Sequence, residues 1–252
     1  MVTITLQCPH CQSEKLVRNG RAPNGKQKYL CRSCQRQSRE HPAPHAYSAE
    51  RREEILRAYE ERSSLRGLER TFGVSRQTVI TWIKKGCATL PALDETLMEP
   101  DANDQEATVL ELDELWSFVL KKTNPAWIWI ALCRKTRQVV AYTIGDRSEA
   151  TCRRLWETIP LSYRASHCFT DFWAAYRAVI PEEQHSAVGK DTGETAHVER
   201  WNNTLRQRLA RFVRKTLSFS KSPVMHQACL DLFLHRYNRE RVLRLGKMEA
   251  LR

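Results

Sequence analysis

The chain has 252 residues, 41% apolar side chains and a formal net charge of +12 at pH 7, which favours a polyanionic partner. No apolar run approaches the roughly 20 residues of a membrane-spanning helix, and the N-terminus lacks the basic head and apolar core of a secretory signal. Four of the nine cysteines form two CxxC pairs, so we expect a cytoplasmic protein with a metal site and not a disulfide framework.

The charge is distributed unevenly along the chain. Residues 1–90 hold 17 basic and 8 acidic side chains, residues 91–114 hold nine acids and no basic residue, and residues 115–252 hold 24 basic and 12 acidic side chains. Residues 91–107 also carry prolines and little apolar periodicity, which predicts an acidic linker between two basic regions. We therefore expect an α+β multidomain protein.

The first predicted domain, residues 1–45, contains the two CxxC pairs. Two short runs, residues 15–19 and 26–30, flank a turn-rich connector and predict a β-hairpin with a CxxC knuckle at each end. Tetrahedral Zn²⁺ takes four thiolates, which two knuckles supply at nearly fixed spacing. His10, His41 and His45 are alternative ligands, but the four cysteines already complete a zinc ribbon: Cys8, Cys11, Cys31 and Cys34.

Residues 46–90 form the second predicted domain. After a helix over residues 48–62, the segment SLRGLERTFGVSRQTVITWIKKG predicts two helices separated by a turn at Gly73, with Ser75 as the N-cap of the second. A solvated two-helix packing unit is one interpretation. The glycine turn and the polar, basic outer face favour a helix-turn-helix that contacts DNA through Arg76, Gln77, Thr78, Thr81, Lys84 and Lys85.

The third predicted domain, residues 108–252, begins with strands. Residues 108–119, 127–133 and 138–144 predict an antiparallel meander, followed by a helix over 148–159, a strand over 167–170, a helix over 172–180 and a weak strand over 184–189. A final helix is predicted from Ser222-Pro223 to about residue 238.

Between the weak strand and the final helix lies a basic amphipathic segment, HVERWNNTLRQRLARFVRKTLSFSKS, which contains one acid, Glu199. At 100° per residue, Glu199, Asn203 and Arg206 lie on one side of this helix. A lone carboxylate there can hold a cation beside a phosphate chain that the arginines bind. The segment therefore indicates metal-assisted chemistry on nucleic acid.

The order of elements matches a ribonuclease H-like α/β domain, and three segments make the resemblance specific. The segments ELDELWSFV and FTDFWAAY, together with the basic Glu199 helix, resemble the transposases of the insertion-sequence-one family. The upstream CPHC and CRSC knuckles and the helix-turn-helix resemble the N-terminal DNA-binding part of that family. The resemblance covers nearly the whole chain.

The resemblance implies a DDE carboxylate triad that binds Mg²⁺ (or Mn²⁺), formed by Asp113, Asp171 and Glu199, with Arg206 as the basic residue that follows. From the residues alone, each has a second interpretation. Asp113 shares a strand face with Glu111 and is followed by Glu114, so the pattern does not separate these acids. Asp171 fits a helix cap, and Glu199 fits a first-turn partner of the helix dipole.

The basic modules and the resemblance together predict a transposase that binds double-stranded DNA, both the element's terminal inverted repeats and the target. The resemblance further implies that it assembles as a homodimer or larger oligomer. On this hypothesis it cleaves the 3′ ends and joins them to target DNA at the bacterial nucleoid. Arg208, Arg211, Arg214 and Lys215 are expected to follow a DNA backbone or a partner subunit. Trp173 and Trp201 are expected to fill the core, although among the tryptophans of this region they are the best placed to stack on a displaced base. Two alternatives are a repressor that has lost catalysis and a nuclease that cuts without joining.

Overall fold

The computed structural model describes residues 5–23, 25–39, 46–100 and 108–249. The chain divides into two compact units, Met1–Arg52 and Glu53–Arg252. None of the helices within the described residues is long and apolar enough to cross a membrane.

The first unit contains a three-stranded antiparallel sheet. The predicted hairpin is present as β1 (Leu16–Arg21) and β2 (Gln27–Cys31). A third strand that the sequence did not predict, β3 (Gln37–Arg39), pairs with β2. Residues 40–45, including His41 and His45, lie outside the described residues.

The second unit begins with three helices: α1 (Ala49–Tyr59, which starts before the unit boundary), α2 (Leu65–Phe72) and α3 (Arg76–Cys87). Ser64 accepts a hydrogen bond from the Gly67 N–H at the start of α2, and Gly73 ends that helix at a φ of 67°, which glycine adopts without strain. The predicted cap of α3 is confirmed, because Ser75 accepts a hydrogen bond from the Thr78 N–H.

A five-stranded sheet follows, in the order β6-β5-β4-β7-β8. The predicted meander is confirmed, because β4 pairs antiparallel with β5 and β5 with β6, whereas β4 pairs in parallel with β7, and β7 in parallel with β8. The strands are β4 (Val109–Phe118), β5 (Pro125–Cys133), β6 (Val139–Gly145), β7 (His167–Thr170) and β8 (His185–Ala187).

Helices cover both faces of this sheet. The remaining helices are α4 (Glu149–Thr158), α5 (Leu161–Arg164), α6 (Ala174–Val179), α7 (Ala196–Arg208) and α8 (Pro223–Glu249). One core places α4 and α6 against Leu110, Leu112 and Trp129, and a second places α7 and α8 against Leu115 and Ile128. Each face of β4 is therefore buried under a different pair of helices.

The two predicted C-terminal helices have other bounds than expected. Helix α7 ends at Arg208 and is followed by a 3₁₀ turn, Ala210–Phe212, and by irregular chain, whereas α8 continues to Glu249. The α8 side chains Met225, Ala228 and Cys229 pack into one core with α1, α2 and α3. Residues 46–90, which were predicted as a separate domain, thus share a core with α8, which belongs to the predicted catalytic domain.

The predicted linker is partly structured. Residues Leu93–Thr96 form a 3₁₀ helix, and the buried Gln138 side chain donates to the Thr96 carbonyl and accepts from the Met98 N–H. This part of the acidic segment is anchored to the sheet region, in contrast to the tether that its composition predicts. The remainder, residues 101–107, lies outside the described residues.

Candidate active site and metal sites

The four predicted zinc ligands lie together. Cys8, Cys11, Cys31 and Cys34 are free thiols whose sulfurs all lie within 4.8 Å of one another. The Cys8–Cys34 and Cys11–Cys31 sulfurs are 3.7 and 3.6 Å apart. A tetrahedral ion with Zn–S bonds of about 2.3 Å separates its sulfurs by about 3.8 Å, so this donor set fits zinc.

The two knuckles have the same backbone geometry. The Gln12 N–H donates to the Cys8 carbonyl and the Gln35 N–H to the Cys31 carbonyl, with both glutamines at positive φ. The backbone N–H groups of Cys34 and Ser33 lower the pKa of Cys31 to about 6. The thiolate is the form that binds metal, so this turn supports Cys31 as a ligand, whereas desolvation and the neighbouring thiols raise the pKa of Cys11.

The first two predicted catalytic carboxylates lie close together, at two neighbouring parallel strands of the sheet. Asp113 lies on β4, and Asp171 follows the last residue of β7, the strand that pairs in parallel with β4. Oxygens of Asp113, Glu114 and Asp171 lie within 4.8 Å of one another. Asp171 also accepts a hydrogen bond of 2.9 Å from the Trp173 N–H, so it caps the following turn as well as facing the cluster.

The electrostatic environment of Asp113 is unfavourable to its negative charge. Burial, with added repulsion from Glu114, Asp171 and Glu199, raises the pKa of Asp113 to about 7. A bound cation would remove this repulsion, which is the arrangement expected of a metal site.

Glu114 belongs to the cluster by distance and already has two partners within the protein, although burial and the neighbouring Asp171 still raise its pKa. It is buried on the opposite face of β4 from Asp113, where the Arg147 Nε donates to it at 2.6 Å and the Tyr176 hydroxyl at 2.8 Å. Arg147 in turn lies over the ring of Trp173, 3.9 Å from its centroid. Glu114 therefore holds the arginine and is a poor candidate for a metal ligand.

Glu199 approaches the site from α7. It is half-buried, its Oε1 lies 3.5 Å from the Thr195 hydroxyl, and it lies outside the cluster of three acids. It is nevertheless close enough to Asp113 to contribute to raising the pKa of that residue. The structure thus places all three predicted carboxylates around one site, with Glu199 the most distant of them.

Glu111, which was not predicted as a catalytic residue, binds the first turn of α7. Glu111, fully buried on β4, accepts hydrogen bonds from the backbone N–H groups of His197 (2.9 Å) and Val198 (3.0 Å), and from Arg134 at 2.7 Å. The His197 ring also contacts Glu111, at 2.6 Å. The acid binds unpaired N–H groups in the first turn of α7, so the helix that carries Glu199 is attached to the strand that carries Asp113.

Asn202 was not predicted as a site residue, yet it contacts Asp113. Its Nδ2 donates a hydrogen bond of 2.7 Å to Asp113, and its buried Oδ1 has no hydrogen-bond partner within the described residues. Asn203, which the sequence analysis selected, is exposed on the same helix. Asn202 and Arg206 follow Glu199 by three and seven residues, so all three lie on one face of the helix. This shared face is the feature of the sequence from which Asn202 could have been predicted.

Arg206 is half-buried near the acids. Burial and the neighbouring Arg214 lower its pKa, whereas Asp113 opposes that shift. Its Nε is buried and has no acceptor in the part of the chain that the structure describes. Arg206 therefore has an unused donor close to the carboxylates.

The arginines that follow divide into internal and external groups. Arg211 is buried and donates to the Tyr59 hydroxyl (2.9 Å) and the Ser220 hydroxyl (2.9 Å). Arg208 is paired with Glu61 and Glu240. The structure thus places these two arginines in internal contacts and not on the DNA-facing surface that the sequence analysis expected. Arg214 and Lys215 are exposed.

The predicted DNA contacts on α3 differ in exposure. Gln77, Lys84 and Lys85 are exposed, as is Arg76, which pairs with Glu69 on α2. The hydroxyls of Thr78 and Thr81 are half-buried and engaged by Ser75 and by the Gln77 carbonyl.

The two tryptophans next to the predicted carboxylates, Trp173 and Trp201, differ in exposure. Trp173 is 36% exposed, whereas Trp201 is buried against Phe233 and Tyr237. The expected core position is therefore confirmed for Trp201, whereas Trp173 remains accessible.

Two segments of the chain match known protein families. Residues 107–239 match the family described as IS1 transposase, and residues 1–35 match the family described as InsA N-terminal domain. The chain is 37% identical to the insertion element iso-IS1n protein InsB of Shigella dysenteriae over 131 residues, which are 52% of this chain and 97% of that protein. It is 36% identical to the insertion element IS1 protein InsB of Shigella flexneri over 125 residues, which are 50% of this chain and 92% of that protein.

Proposed function

The chain belongs to the IS1 transposase family, and on this premise we propose that it is a DNA transposase that cleaves at the ends of its element and joins the 3′-OH ends to target DNA. The observation that carries the proposal is that the carboxylates of Asp113 and Asp171 lie within 4.8 Å of each other at neighbouring strands, with Glu199 on the adjoining helix. We place this activity on chromosomal DNA in the cytoplasm.

The proposed fold of the catalytic region is ribonuclease H-like. The antiparallel β6-β5-β4 meander continued by two parallel strands, with helices on both faces, supports this assignment. The proposed helix-turn-helix is α2 and α3, since α3 begins at the capped Ser75 and presents Arg76 and Gln77 to solvent. Together with the zinc ribbon, it would bind the terminal inverted repeats.

The proposed metal ligands are Asp113, Asp171 and Glu199. Their hard oxygen donors suit Mg²⁺ or Mn²⁺, and the raised pKa of Asp113 is consistent with an acid cluster that a cation would complete. Two such ions supply charge compensation and alignment for in-line attack on a phosphodiester.

The protein's own groups would orient these ligands and the DNA. Asn202 holds the Asp113 carboxylate through its amide, and Glu111 fixes the helix that carries Glu199. The half-buried Arg206, whose charge interacts with Asp113, would bind a phosphate near the carboxylates. Arg147, which Glu114 holds against Trp173, forms a rigid wall beside Asp171.

The four cysteines would hold a structural Zn²⁺ in the ribbon. Transposition joins two ends in one event, so we further propose that the active form is a homodimer or a larger oligomer assembled on paired ends.

Strand transfer with pre-cut ends tests the function. Wild type should join an end bearing a free 3′-OH to a target duplex in the presence of Mg²⁺, and Asp171→Asn should not. The matched control is Glu182→Gln, which neutralises an exposed acid on the Glu182–Gln184 turn and should leave joining unchanged.

The same assay separates the other two functions. A nuclease would cut the uncut substrate without producing joined DNA, and a repressor would bind ends without either reaction. Equal joining by wild type and Asp171→Asn would refute the assigned triad.

A further inference from the structure

A groove of about 780 Å³ lies in the second unit, beside α2 and α3. One wall is formed by these helices, including Arg66, Arg70 and Gln77. The other is formed by the chain that follows α7 and by the start of α8, including Leu217 and Lys221. None of the predicted catalytic carboxylates lines this groove, so it is separate from the site described above.

The groove is strongly positive. Its lining contains Arg66, Arg70, Arg76, Arg211 and Lys221 against a single acid, Glu69, which pairs with Arg76. Arg66, Arg70 and Lys221 form no ion pair with any described residue, and the buried Arg211 is bonded to hydroxyl groups and to no carboxylate. Arg66, Arg70 and Lys221 are therefore the lining cations that can bind an anion, whereas Arg211 stays in its internal contacts.

The backbone ends of three helices add to this charge. The N-caps of α2 and α3, Ser64 and Ser75, line the groove, as does Ser222 at the start of α8. The positive ends of three helix dipoles thus meet at one surface. Leu217, 99% exposed on the second wall, offers an apolar contact of the kind that a deoxyribose makes.

The two walls are joined by buried contacts. Arg211 links the Tyr59 hydroxyl of α1 to the Ser220 hydroxyl of the second wall, and the Arg62 N–H donates to the Arg208 carbonyl at 2.7 Å. Ser220 also pairs with Val119, the residue after the catalytic strand β4. A ligand in the groove would therefore contact α3 and, at the same time, a segment attached to the strand that carries Asp113.

We propose that this groove binds the sugar–phosphate backbone of the same DNA duplex that α3 contacts, so that one chain holds an element end from the helix-turn-helix to the end of the catalytic strand. The proposal rests on the proposed function, because it takes DNA as the partner of α3. It adds that the second wall, which includes Leu217 and Lys221, contacts the recognised duplex.

The test measures how the affinity for DNA depends on salt. Each lysine or arginine contact to a phosphate adds about 0.9 to the negative slope of log K against log salt concentration. The variants are Arg66→Gln/Arg70→Gln for the first wall and Lys221→Gln for the second. The matched control is Arg153→Gln/Arg177→Gln, which removes two exposed charges from α4 and α6 on the other face of the sheet.

We expect the slope to fall by about 2 in the first variant and by about 1 in Lys221→Gln, and to stay unchanged in the control. Binding to the terminal repeat and to an unrelated duplex should weaken by similar factors, since phosphates carry no sequence information. Methylphosphonate substitution along the repeat should identify phosphates whose neutralisation weakens the wild type but not the variants.

Four results would overturn the proposal. The first is a slope that stays constant in both wall variants, and the second is a slope that falls equally in the control. A fall in the first variant without a change in Lys221→Gln would limit the contact to α2. A changed sedimentation coefficient at constant slope would show that the groove binds a second copy of the chain. Failure of the proposed function would look different, because wild type would then bind DNA without joining it.

Discussion

Replacing Asp113 with asparagine should stabilise the protein in the absence of Mg²⁺ while removing cleavage. Burial and three neighbouring carboxylates raise the pKa of Asp113 from 3.8 to about 7. At about 1.4 kcal/mol per pKa unit, ionising this group in the folded state costs up to roughly 4 kcal/mol at pH 8. The side chain is only partly buried, so we expect a gain of about 2 kcal/mol.

The sign of the pH dependence follows from proton binding. Between pH 4 and pH 7 the folded state keeps a proton on Asp113 that the unfolded state has lost, so the free energy of unfolding decreases as the pH rises through this window. Asparagine does not titrate. The stability gain of the variant should therefore be roughly a third of its full size at pH 5 and fully developed at pH 8.

Urea unfolding followed by tryptophan fluorescence measures this difference. All seven tryptophans lie in the unit that begins at Glu53, so the signal reports the unfolding of that unit. The buffer omits Mg²⁺ but contains no chelator, so that zinc is retained. Glu182→Gln serves as the exposed-acid control and should not shift the midpoint.

Addition of Mg²⁺ should stabilise the wild type and leave Asp113→Asn nearly unchanged, because a ligand that binds only the folded state adds to its stability. The reasoning would be refuted if the variant were no more stable than wild type at pH 8. It would also be refuted if the gain were the same at pH 5 and pH 8.

Three further changes test other parts of the structure. Glu111→Gln should lower the free energy of unfolding by about 2 kcal/mol and reduce cleavage, since a buried charge-assisted cap of α7 is lost; an unchanged urea midpoint would contradict this. Cys34→Ser should lose the bound zinc, measured by elemental analysis, without shifting the tryptophan midpoint; retention of a full equivalent of zinc would exclude the four-cysteine site. Burial lowers the pKa of His226 to about 4, so the free energy of unfolding of wild type should fall by up to about 3 kcal/mol between pH 6.5 and pH 4. His226→Gln should lack this loss. Parallel curves of unfolding free energy against pH for the two proteins would contradict the prediction.

Local patterns were sufficient to predict most of the strands and several helix starts. The strand over residues 167–170 has the predicted bounds, because a short apolar run ends at a polar residue there. Ser75 was predicted as an N-cap and accepts the expected hydrogen bond from the Thr78 N–H. The helix predicted over residues 148–159 begins at Glu149, where Ser148 accepts a hydrogen bond from the Thr151 N–H. These features depend on a few neighbouring residues, which is why the sequence is informative about them.

The positions of the basic side chains could not be predicted in the same way. Periodicity shows which side of α7 and its continuation a residue occupies, but it does not show which other element covers that side. Arg211 follows the end of α7 and is covered by α1, through Tyr59, whose position in sequence is 152 residues away. Such a contact depends on tertiary packing, and no local pattern of charges indicates it.

The three acids of β4 show how the structure resolves an ambiguity that alternation leaves open. Glu111 and Asp113 share one face, and Glu114 lies on the other, as strand geometry requires. Glu111 is compensated by Arg134 and by two backbone N–H groups of α7, and Glu114 by Arg147. Asp113 forms no ion pair within the described residues and receives only an amide from Asn202 among side chains. A partly buried charge without a compensating cation destabilises a fold, which supports the proposal that Asp113 binds a cation during function. The lack of an ion pair at Asp113, more than the carboxylate itself, is therefore the physical reason for assigning it to the metal site.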